Sequence, residues 1–271
     1  MAKETKYQLT FGGFYAQTDS QITVTDPIIG QDFDLDFEQD LKLRESQALP
    51  FFELTYRHNQ YHNFYFDWKS LHRSSEQTVI AKPFQVEIKD KIYDVQAGAR
   101  LQSSLNIDIA RIGYGYDFLQ TDHYAIGVSA GLHVMLIETI FKGDIAACVE
   151  SELIDKRCGG TSTPTLVDNN LSASLPDFGL YGYYEFQPNW RFKAHSQYFY
   201  MKLDDVKGGL IDIRAGLEVD FADNWSLSAA YHFYKVDVDV EQTKTRLDIH
   251  IADYNIFYSF IGPAVALSYH F

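Results

Sequence analysis

The chain has 271 residues, 46% hydrophobic and 15% aromatic, with 19 Tyr, 20 Phe and 3 Trp. That aromatic load excludes a disordered chain and is unusual for a helical enzyme. Lys plus Arg number 23 against 37 Asp plus Glu, a formal net charge of −14, so no overall basic excess is present to neutralise phosphates and no nucleic-acid partner is expected. The most apolar stretch, Ala125 to Ile137, is broken by Gly127, Ser129, Gly131 and His133, which leaves no candidate transmembrane helix.

Taken in chain order, the sequence repeats one pattern: apolar and polar residues alternating with a period of two. Tyr7, Leu9, Phe11, Gly13 and Tyr15 alternate with Gln8, Thr10 and Gly12. Phe52, Leu54 and Tyr56 oppose Glu53, Thr55 and Arg57, and Phe64, Phe66 and Trp68 oppose Tyr65, Asp67 and Lys69. Similar segments start near Ile112, Tyr124, Phe178, Trp190, Ile211 and Trp225. A soluble β-sandwich also alternates. Here, however, the polar face carries full charges in mid-segment and the apolar face is capped by aromatics at its ends, as an interfacial girdle requires. The pattern predicts an all-β fold over residues 1–271, a single antiparallel transmembrane β-barrel. Its mean hydropathy of −0.24 reflects averaging over a lipid face and a lumen face.

Connections fall into two classes. Short ones sit at Asn59–His62, Gln120–Asp122, Pro188-Asn189 and Asp223-Asn224; long ones cover about 19–46, 74–103, 141–176 and 236–250, with a shorter fifth at 204–209. Four short periplasmic turns with both termini on the same side predict ten strands and long extracellular loops. The alternation changes phase near Ala110 and again at Gly262-Pro263; a bulge at each keeps ten strands, an extra hairpin gives twelve and a lost one eight.

The chain ends Val265-Ala266-Leu267-Ser268-Tyr269-His270-Phe271. A terminal Phe with Tyr269, Leu267 and Val265 at the preceding alternate positions resembles the assembly signal of bacterial outer-membrane barrels. The resemblance implies an outer-membrane location in a Gram-negative bacterium, insertion by the barrel-assembly machinery, and lipid and lipopolysaccharide as surroundings. Met1-Ala2-Lys3-Glu4 leads straight into a strand pattern, so an export signal is expected to have been removed. The segment Asp34–Leu43, with Gly113-Tyr114-Gly115-Tyr116 and Ser129–His133, resembles a group of small proteobacterial barrels and brings no activity with it.

Several constellations bear on chemistry. Arg57, Asp67, Lys69, Arg111, Asp117, Glu185, Arg191, Lys193, Asp212, Arg214, Glu218 and Asp220 share the inward phase and are expected to pair across the lumen as a stiffening plug, with a narrow polar pore as the alternative. His195, Arg214 and His232 fall at similar heights on successive strands; a metal site needs closer ligands, so packing is expected, with no metal and no cofactor. The acidic run Asp19, Asp26, Asp32, Asp34, Asp36, Glu38 and Asp40 carries no calcium-loop motif and reads as solvated hairpin. Cys148 and Cys158, in a polar stretch ending Gly159-Gly160, are expected to form a loop disulfide. Omptin proteases use an Asp-x-His pair facing an Asp-x-Asp pair; Asp248-Ile249-His250 and Asp34-Leu35-Asp36 resemble these, but the match extends no further and Asp248 and His250 are weak catalytic candidates. The expectation is a non-enzymatic barrel acting through its extracellular loops on a surface ligand, with a narrow channel or an omptin-like protease as alternatives.

Overall fold

Residues 6–26, 31–76, 78–88, 91–151, 154–158, 163–203, 206–244 and 249–271 are described in the computed structural model. The strands are β1 (Tyr7–Asp26), β2 (Gln31–Asp36), β3 (Ser46–Arg57), β4 (His62–Ser74), β5 (Thr78–Val79), β6 (Phe84–Ile88), β7 (Lys91–Val95), β8 (Arg100–Gln120), β9 (Tyr124–Ser151), β10 (Ile154–Cys158), β11 (Thr163–Gln187), β12 (Trp190–Leu203), β13 (Val206–Ala222), β14 (Trp225–Lys244) and β15 (Ile249–His270). Ten of them form the wall, in the order β1, β3, β4, β8, β9, β11, β12, β13, β14, β15, each antiparallel to the next, and β15 returns to pair with β1. The remaining strands decorate it: β2 folds back on β1, β5 on β8, and both the β6–β7 hairpin and β10 lie against β9. Closure leaves the wall without a free edge, the condition for a sheet to stand in lipid.

Both chain ends and the four short connections share one rim. There the Tyr7 N–H donates to Phe271 O and the Phe271 N–H to Tyr7 O, each at 2.9 Å. This rim is periplasmic, since outer-membrane barrels keep short turns on that side.

The lipid belt is legible on the outer face. On β1 the outward residues Tyr7, Phe11 and Tyr15 are exposed and apolar, whereas Gln17 and Asp19 above them are exposed and polar. From Tyr7 to Tyr15 the span matches the roughly 9–11 residues a tilted strand needs to cross the hydrocarbon. The same change occurs on β14 between Tyr231 and Lys235, and on β15 between Ile261 and Ser259. Val265, Leu267, Tyr269 and Phe271, the assembly-signal residues, all face lipid.

Two expectations are corrected. Most of the anticipated long loops are strand: β1 reaches Asp26, β9 reaches Ser151 and β11 starts at Thr163, so the barrel wall itself continues above the membrane. The phase changes are neither bulges nor hairpins. The β8–β9 register is unbroken from Leu101↔Gly143 to Asp117↔Gly127, with its shift only at Phe118, and β14–β15 is unbroken from Trp225↔Tyr269 to Gln242↔Ala252. Odd residues of β8 point inward throughout; what switches is their chemistry, from Arg111, Gly113 and Asp117 below to Leu101, Leu105, Ile107 and Ile109 above. Within the membrane the wall is apolar outside and polar inside. Above it the arrangement inverts to that of a water-soluble protein, with an apolar core.

The register sets Cys148 directly opposite Cys158 on β9 and β10. The expected disulfide rests on side chains outside the described residues, and no disulfide is present among those described.

Candidate functional site

The membrane-level half of the lumen holds a polar cavity of about 530 Å³ that is lined from the periplasmic rim upward. Near the rim, Arg57 meets Asp117 at 2.8 Å, and the Tyr181 hydroxyl donates to the same carboxylate while accepting from Asn63 Nδ2 at 2.7 Å. Tyr181 can lie flat there because β9 offers Gly127: a Cβ at that position would collide with its ring. Across the rim, Arg191 contacts Glu218 at 2.9 Å and also Asp220, and Lys193 reaches Glu218 at 3.0 Å. Glu185 lies at the rim, its backbone N–H bonded to His123 O at 2.7 Å.

Higher up, ion pairs cross the barrel. Lys69 on β4 reaches Asp212 on β13 at 2.9 Å, and Arg214 on β13 pairs with Glu53 on β3. Neither pair joins neighbouring strands, so each bridges the lumen. Arg111 touches Asp67 at 2.6 Å without hydrogen-bond alignment, and its guanidinium lies over the Tyr65 ring at 4.4 Å. His133 and Asp177, both fully buried, pair at 3.1 Å between β9 and β11. Asp212 Oδ1 also bonds His232 Nε2 at 2.7 Å and His195 Nε2 at 3.2 Å. The expected histidine cluster is therefore real but centred on Asp212; Arg214 turns away toward Glu53. Tyr65 Oη, Asp67 Oδ1 and Gln197 Oε1 are buried around this ceiling without a hydrogen-bond partner among the described residues.

Above the ceiling the lumen turns apolar. Phe14, Leu49, Leu71, Ile109, Met135, Tyr234 and Phe260 are at most 2% exposed and belong to one apolar core. Tyr234 stacks on Phe260 with centroids 4.7 Å apart, and its hydroxyl reaches Met135 Sδ on the far wall at 3.7 Å. Among the described residues these side chains form an apolar layer across the lumen above the cavity. A second layer comes from the connection between β2 and β3. Phe37, Leu41 and Leu43 turn into the mouth and are buried, while Lys42 adopts φ 59° at the reversal. Glu38, on the same turn, accepts from Ser20 N at 2.9 Å and Ser20 Oγ at 2.8 Å and pairs with Arg73, itself 1% exposed. Arg73 also donates to Thr18 Oγ1 at 2.7 Å.

The acidic run is thus largely structural: Asp34 accepts from Thr23 Oγ1, Asp36 Oδ1 from Gln39 N, and Asp40 pairs with Lys82 at 3.3 Å. Asp26 and Asp32 have side chains outside the described residues, as do Asp248 and His250, the weak catalytic candidates. Sequence reading missed Glu53, although it alternates with Phe52 and Leu54, and missed His133 and Asp177, which stand opposite Leu175 and Gly131 in the β9–β11 register and meet diagonally across it.

No protein-family model matches the sequence, and no curated protein matches it. Among solved structures the chain is similar to the outer membrane protease OmpT from Escherichia coli, with TM-score 0.59 and 9% identity over 98% of this chain and 97% of that one. It is also similar, at TM-score 0.34 and 12% identity, to the toluene transporter TodX of Pseudomonas putida (98% of this chain, 90% of that one). With Ail, the attachment invasion locus protein of Yersinia pestis, the TM-score is 0.30 and the identity 10%, over 96% of this chain and 99% of that one. At 9% identity the likeness to OmpT is one of fold alone, and the two lower scores carry no argument. The closed ten-stranded wall, its lipid belt and its polar lumen define an outer-membrane β-barrel of a Gram-negative bacterium.

Proposed function

We propose that this barrel does not conduct and works at the cell surface, through the β extension above the membrane and the hairpins it carries. The observation behind this reading is the stopper: an apolar core closed over a polar cavity, with the Glu38–Arg73 turn seated in the mouth. The described part of the extension is paired strand, and its outer face is polar, with Asn255 bonding both Asp237 and Asp239. Lipopolysaccharide around the belt and the barrel-assembly machinery acting on the Val265–Phe271 end are the partners this reading carries forward. Conductance of refolded protein in a planar bilayer tests the first half: a silent bilayer is expected, and reproducible discrete steps overturn it. Retention of expressing cells on glycan and matrix panels tests the second. A variant lacking Phe84–Val95 should be retained less than the parent, and a parent no better than empty-vector cells removes the surface role.

A second reading, a narrow channel for small solutes or ions, is favoured by the cavity of about 530 Å³ beneath the stopper. It requires the turn and the apolar layer to move aside, and it predicts conductance under voltage where the first reading predicts none.

A further inference from the structure

The ceiling of the cavity gathers the atoms of a metal site. His195 on β12, Asp212 on β13 and His232 on β14 come from three successive strands, and their donor atoms lie within 4.8 Å of one another. Asp212 Oδ1 stands 2.7 Å from His232 Nε2 and 3.2 Å from His195 Nε2. In a tetrahedral site with bonds of roughly 2.0–2.2 Å, donor atoms stand about 3.3 Å apart. Small side-chain rotations therefore convert this hydrogen-bonded triad into two nitrogens and one oxygen around a single ion.

Outer support for the triad is present. Lys69 Nζ holds Asp212 Oδ2 at 2.9 Å, which orients the carboxylate with Oδ1 toward the imidazoles. Access is from below, because His195 lines the polar cavity, and water there can complete the coordination.

We propose that His195, Asp212 and His232 bind one divalent first-row transition ion of the zinc class, entering from the periplasmic side. Two imidazoles and one carboxylate suit Zn²⁺, Cu²⁺ or Ni²⁺ and are a poor set for Ca²⁺ or Mg²⁺, which prefer all-oxygen shells. The Lys69 and Arg214 cations nearby lower the affinity without altering this preference.

Untagged refolded protein, stripped with chelator, is titrated with Zn²⁺ by calorimetry and with Co²⁺ by visible absorption. One ion per chain is expected, with cobalt bands of a low-coordinate nitrogen–oxygen site. His195→Gln keeps a side chain able to bond Asp212 and should fold to the heat-modifiable band; it should weaken binding at least about tenfold, and His232→Gln likewise. If the His232 variant does not fold, protection of His195 from diethyl pyrocarbonate by Zn²⁺ in the unmodified protein replaces it. No saturable ion, or Zn²⁺ affinity unchanged in His195→Gln, overturns the assignment.

Discussion

Ile109 and Arg111 point into the same lumen from the same strand, one stride apart, and the interior of the barrel changes character between them. Ile109 is fully buried in the apolar core; Arg111 lies in the ion-paired ceiling of the cavity below. On the opposite face of β8 the change is reversed, from lipid-facing Ile112 to Asp108, which meets His72 at 3.1 Å. The outer membrane surface therefore passes at this height. A polar interior under an apolar belt and an apolar interior under a polar surface follow one rule, that whichever face lacks water takes the apolar residues.

That boundary gives a direct test. Leu267→Arg, in the lipid belt, is expected to cost about 2–4 kcal/mol if it lies near the bilayer midplane, and Gln17→Arg, just above the belt on β1, about 0–1 kcal/mol. Denaturant titrations of folding into lipid vesicles measure both. Equal costs would place the membrane boundary elsewhere.

The turn in the mouth depends on one buried ion pair. Removing a single partner leaves the other charge buried, so Glu38→Ala or Arg73→Met should destabilise the seated turn by roughly 3–5 kcal/mol. The readout is faster deuterium uptake over Phe37–Leu43 and faster trypsin cleavage after Lys42 and Arg44, which are exposed. The double variant Glu38→Gln/Arg73→Met should lose less than the two single changes summed. Unchanged uptake in the single variants would show that apolar contacts alone hold the turn.

Acid should loosen the extension first at Asp239. Burial alone would raise its pKa, but the Asn255 hydrogen bond at 2.7 Å and the Lys207 ion pair at 3.0 Å outweigh it and hold the carboxyl below its usual range. A folded-state pKa below the unfolded one means stabilisation that is complete above the unfolded value and lost as pH falls through the folded value. The group is partly exposed, so the effect is small and screened by salt. Hydrogen exchange at the tops of β13 and β14 should quicken between pH 5 and pH 2 in the parent, and the step should flatten in Asp239→Asn.

Much of the wall was legible from alternation alone, because period two with charges on one face has few other solutions. The inward assignment of Arg57, Lys69, Arg111 and Asp212 follows from phase; Arg57 and Arg111 line the cavity, and Lys69 meets Asp212. Their partners were not legible: Lys69 meets Asp212 and Arg214 meets Glu53 across the lumen, and strand tilt, which sets such pairs, leaves no mark on the linear sequence. The extension was read as loop because its outer face is polar and its inner face apolar, the reverse of the belt, so the change looked like a break. Nor does the spacing of Phe37, Leu41 and Leu43 announce an inward turn; that depends on the backbone reversal at Lys42 and on Arg73 arriving from β4.

The turn that fills the mouth is joined through β2 to β1, and β1 is the strand that meets β15 to complete the wall. The closing edge and the obstruction thus belong to one stretch of chain. An outer membrane is valued for what it excludes; on the proposed non-conducting reading, a population of such barrels would grow dense without raising the leak rate of the envelope, since each copy would add surface area and no hole.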